Sequence, residues 1–75
     1  MVATLNDYIA EMQTYETQIL IMDKNAPMKA DIDKICGIMA SSIGMDKFEY
    51  IKSICKIMQE QHISFSEAVD KMRRK

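Results

Sequence analysis

The chain has 75 residues, a formal net charge of -1 and two cysteines beside a single histidine. That length allows one domain, because a core of such size hides only about 60 % of the surface that the unfolded chain exposes. The near-neutral charge gives no global attraction to nucleic acid, and so few soft ligands leave no room for a zinc knuckle, a redox pair of neighbouring cysteines or a multi-disulfide framework.

The amino terminus, Met1 to Asp7, has no basic stretch followed by an apolar run, so no secretory signal and a cytoplasmic location are expected. Thr4 is a suitable N-cap with Asp7 in the first turn, and Leu5, Tyr8, Met12, Tyr15, Ile19 and Met22 then keep a heptad spacing for about three repeats. This predicts a first helix over 5–23. Glu11 and Glu16 border its seam, and up to Asp23 every charged residue is acidic.

Asn25-Ala26-Pro27 interrupts the pattern, since proline disfavours helical geometry at the preceding residue and suits the first turn of a new helix. The second helix is predicted over 27–43, with Met28, Ile32, Ile35, Cys36, Met39 and Ile43 on one broad face. Gly37, Ser41 and Gly44 form a stripe of small residues beside it, where another helix can approach closely. Gly44 also serves as a C-terminal stop.

Asp46 and Glu49 make an acidic variant of the capping box, with Met45 and Tyr50 at staple positions. The third helix, 47–61, buries Phe48, Ile51, Ile54, Cys55 and Met58 and turns Lys52, Lys56 and Glu60 to water. Ser64 and Glu67 form a second capping box before a short helix over 65–73 that carries Phe65, Ala68, Val69 and Met72 on one stripe. Its basic end, Arg73-Arg74-Lys75, suits the negative pole of the helix dipole. No segment alternates as a strand would, so the expected fold is all-α: one domain over 1–75, a compact bundle of four helices.

Catalysis finds little to work with. His62 falls between two predicted helices, and no serine or cysteine has a spacing that would present it with a nucleophile. Asp31 and Asp33 lack the glycine and distal glutamate of a calcium loop, and two glycines cannot build a phosphate cradle. No cofactor and no metal is therefore expected. Cys36 and Cys55 sit among isoleucines and methionines and read as small buried apolar residues, although one bridge between them stays open. The longest uncharged run, Ile35 to Met45, is far below the ~20 residues that span a bilayer, so no membrane partner is expected.

The segment Ala40 to Asp46 resembles the elbow of a helix-turn-helix, which would imply DNA binding with Lys47, Lys52 and Lys56, together with Arg73 and Arg74, facing phosphate. The template departs at Tyr50 and Ser53, where two aliphatic residues should anchor the recognition helix, and Glu49 would repel the backbone. The other expectation is a small protein-binding regulatory module, an inhibitor, adaptor or chaperone-like subunit of the kind a phage or mobile element carries. Its partner edge would be Tyr8, Glu11, Tyr15, Glu16 and Met22 on the first helix. Eight methionines favour such adaptable surface as much as a gap-filled core. A second copy of the chain is a further candidate partner, although a parallel self-pair would oppose Glu11 and Glu16 as like charges.

Overall fold

The structure, a computed structural model, describes the backbone over residues 5–73 and the side chains over 9–73. The predicted cap at Thr4, the side chains of Leu5 and Tyr8, and Arg74 and Lys75 lie outside the described residues. The four helices are α1 (Leu5–Met22), α2 (Lys29–Ser42), α3 (Lys47–Gln61) and α4 (Phe65–Arg73). Among the described residues there is no strand, and the fold is an all-α bundle of four helices.

Helix α2 begins two residues later than Pro27 suggests. Asp23 holds the approach to it in a turn, accepting from the Asn25 N–H at 3.0 Å through its side chain and from the Ala26 N–H at 3.1 Å through its carbonyl. Met28 then stands at the N-cap with an extended ψ of 156° and no side-chain cap bond. The far end of α2 closes as a Schellman motif: the Met45 N–H donates to the Ala40 carbonyl at 2.8 Å and the Gly44 N–H to the Ser41 carbonyl at 3.2 Å. Gly44 supplies the left-handed φ of +69° that this motif requires.

The next two helices start at side-chain caps. Asp46 accepts from the Phe48 and Glu49 N–H groups at 3.0 and 3.4 Å. Ser64 accepts from the Glu67 N–H at 3.2 Å while its hydroxyl donates to the Glu67 carboxylate at 3.3 Å. One cap comes from far along the chain, because the Phe65 N–H donates to the Asp23 carboxylate at 3.0 Å and so ties the start of α4 to the end of α1.

Helix α3 is the hub, packed on each of the other three, with α1 also lying against α2. Its buried face, Tyr50, Ile51, Ile54, Cys55 and Met58, meets Met12 and Ile19 of α1, Ile32, Cys36 and Ala40 of α2, and Phe65, Ala68, Val69 and Met72 of α4. Burial of each large side chain here stabilises by about 1.5–3 kcal/mol, which is how α4, too short to persist alone, is held.

The small-residue stripe serves another purpose than helix approach. A Cβ at Gly37 would stand 3.3 Å from the Lys47 Cδ, so the glycine clears a path for a side chain. Lys47 crosses there to reach Asp33, its Nζ 3.1 Å from the Oδ2.

Candidate functional site

The first-helix edge is divided by the fold. Glu11 is exposed and Met22 is partly so, whereas Tyr15 is half-buried, its ring set edge-on to Phe48 at 5.9 Å between centroids. Glu16 does not border the seam as expected. It is part of it, only 4 % exposed, because the buried stripe of α1 runs Met12, Glu16, Ile19 and is wider than a two-position seam.

Glu16 is consequently the most unusual group in the molecule. Its Oε2 is buried without a hydrogen-bond partner among the described residues, and the residue lines a groove of about 630 Å³ with Ile9, Met12 and Gln13 of α1, Lys29, Ala30 and Asp33 of α2, and Lys47. Burial above all, then hydrogen bonding with Asp33 and that carboxylate's charge, push Glu16 up to about 7. Lys29 and Lys47 pull the other way. Lys52 and Lys56 do not face it, being exposed on α3 as their spacing predicts.

Of the cations in the DNA-binding expectation, Lys47, Lys52 and Lys56 lie on α3 and Arg73 on α4. Lys47 is engaged with Asp33, and Lys52 and Lys56 share the outer stripe of α3 with Glu49 and Glu60, leaving that stripe neutral. Arg73 is in the last turn of α4, near enough to Tyr50 of α3 for its charge to oppose the upward push of burial on that hydroxyl. In the elbow segment Gly44 is left-handed, Asp46 caps α3, and Tyr50, where the template calls for an aliphatic residue, is fully buried.

His62 caps the end of α3 in a left-handed conformation, φ 54° and ψ 46°. It shares an open groove with Asp23 and Ser64, yet both of those side chains are occupied as helix caps. Among the described residues no group of three or more His, Cys, Asp and Glu side chains could hold a metal ion, and no helix is long and apolar enough to cross a membrane.

Both cysteines are free and buried. The Cys55 thiol donates to the Gln18 Oε1 at 3.2 Å. Burial raises both thiols, and with the nearby Glu16 and Asp33 charges it pushes Cys36 up to about 12. A thiol reagent at pH 8 should therefore label neither in the folded protein and both in denaturant, with labelling counted by mass spectrometry. Rapid double labelling without denaturant would contradict the packing described here.

A second surface is the flank of α2, where the spacing predicts Met28 and Ile35 on the buried face. Met28 is 73 % and Ile38 59 % exposed, and Ile35 between them is half-buried. Beside that flank a groove of about 320 Å³ opens between α2 and α4, lined by Ala26, Pro27, Ile35, Phe65, Val69 and Arg73 among others. Comparison with protein-family models, curated proteins and solved structures finds no match for this chain.

Proposed function

We propose that the chain works by stoichiometric binding to another protein, as an inhibitor, adaptor or chaperone-like regulatory subunit, and not as an enzyme. The observation that carries this reading is the apolar flank of α2. Residues 28, 35 and 38 fall on one side of a helix, and there Met28 and Ile38 leave most of their surface in water. Exposed apolar side chains beside a groove with apolar walls, rimmed by Asp23 and Arg73, have the composition of a binding patch. Methionine adapts such a patch to its partner at little cost. Two unpaired, buried thiols suit a reducing, cytoplasmic setting.

Ile38→Asp and Met28→Asp test the reading, because both positions are exposed and each change should alter stability by no more than about 0.5 kcal/mol. The expected result is unchanged helix content and melting, with loss of the one partner that the unaltered chain captures from a lysate of its source cells. Capture that survives these changes but fails in Glu11→Lys or Met22→Asp would move the surface to α1. Sedimentation shows whether the partner is a second copy. Retention on heparin that disappears when Arg73 to Lys75 are removed would favour the helix-turn-helix alternative.

A further inference from the structure

We propose that the groove between α1 and α2 is a receptor for one cationic nitrogen group, an ammonium or guanidinium, which donates to the buried Glu16 carboxylate and is flanked by Asp33. The inference is independent of the protein-binding flank, since Asp33 and Ile38 point to different sides of α2.

Three observations converge on it. A carboxylate that is 4 % exposed has an oxygen with no cationic donor among the described residues; its polar neighbour is a second carboxylate, Asp33, with which it can bond only while one of the pair holds a proton, and once both are ionised such a buried oxygen calls for a donor from outside the chain. The same side chain forms part of the wall of an open groove rather than of a sealed core. The groove also has the right walls, with Ile9 and Met12 offering apolar surface for the aliphatic stem of a basic group and Asp33 placing a second carboxylate beside the first.

The chain's own lysines leave the position open. Lys47 is drawn to Asp33, 3.1 Å away, and Lys29 is exposed and bonds neither carboxylate. Both have long, flexible stems on the groove wall, and an entering cation reaches Oε2 by displacing them. It must also displace a proton, because Glu16 sits at about 7 and is largely protonated below neutrality. Binding of a cation and release of that proton are one exchange, so affinity rises with pH until Glu16 is ionised.

The test titrates the isotope-labelled full chain, followed by backbone-amide shifts, with n-butylammonium, N-acetyl-arginine methylamide, a capped Ala-Arg-Ala peptide and the uncharged N-acetyl-norleucine methylamide. Saturable shifts at Glu16, Ala30 and Asp33 are expected with the cations alone, several-fold tighter at pH 8 than at pH 6. Glu16→Gln should remain folded and lose both the binding and its pH dependence, and Asp33→Asn should weaken it. A peptide that binds more tightly than the isolated side chain assigns the cation to a partner protein, whereas equal affinity assigns it to a small diffusible amine. Equal shifts with the uncharged compound, undiminished binding in Glu16→Gln, or no saturation by any cation up to tens of millimolar would overturn the proposal, leaving a proton shared with Asp33, or solvent, to complete Oε2.

Discussion

Replacing Ile19 with aspartate is expected to leave the chain unfolded at 25 °C. Ile19 is completely buried on the face of α1 that packs against α3, the most extensive contact in the bundle. Neither Lys52 nor Lys56 can answer a carboxylate there, because both point to solvent. Burying an unpaired charge costs several kcal/mol or forces its neutralisation at a similar penalty, while a chain of 75 residues has roughly 4–11 kcal/mol of total stability. Met12→Asp, at the edge of the same stripe and beside the α1–α2 groove, should destabilise severely but less. Circular dichroism and urea titration, with Ile38→Asp as the exposed control, separate the positions. A cooperatively folded Ile19→Asp within a few degrees of the parent melting temperature would show that α1 is not part of the core.

What the sequence shows of this fold is what is local. The cap at Asp46, the reciprocal Ser64–Glu67 pair and the left-handed Gly44 each depend on residues within a few positions of one another, and all three are found where the spacing predicts. The long-range features were not legible. Asp23 caps α4 from 42 residues away, and nothing beside Asp23 announces it. The late start of α2 depends on the same aspartate, whose turn carries the chain past Pro27 before the helix begins. Met28, which its spacing puts on the buried face, is exposed instead, as is Ile38 further along α2.

Glu16 was missed for a related reason. A seam read at two positions per heptad treats the neighbouring position as rim, yet a helix packed on two others buries a stripe wide enough to include it. The acidic character of α1 hid a core position behind a charged side chain, and three-dimensional packing alone distinguishes Glu16 from Glu11. The same residue links the bundle's stability to pH.

That linkage has a definite sign. The folded state holds the Glu16 proton up to about pH 7, whereas an ordinary glutamate in the unfolded chain releases it near 4.5. Between those values the folded state binds more protons than the unfolded one, so stability falls as pH rises and levels off once Glu16 is ionised in both. The stabilising contribution is complete below about 4.5 and is lost as the pH passes 7. The groups that face Glu16 set the size of this effect: Asp33 and burial enlarge it, Lys29 and Lys47 reduce it, and the Cys36 thiol stays neutral throughout the range. A loss of roughly 2–3 kcal/mol between pH 5 and pH 8 is expected, enough to lower the urea midpoint by more than half a molar at a slope of about 1–3 kcal/mol per molar. Glu16→Gln, which keeps the shape and removes the ionisation, should flatten that profile and exceed the parent protein in stability at pH 8. A parent whose midpoint is the same at pH 5 and pH 8, or a Glu16→Gln variant with the parent's slope, would place the proton elsewhere.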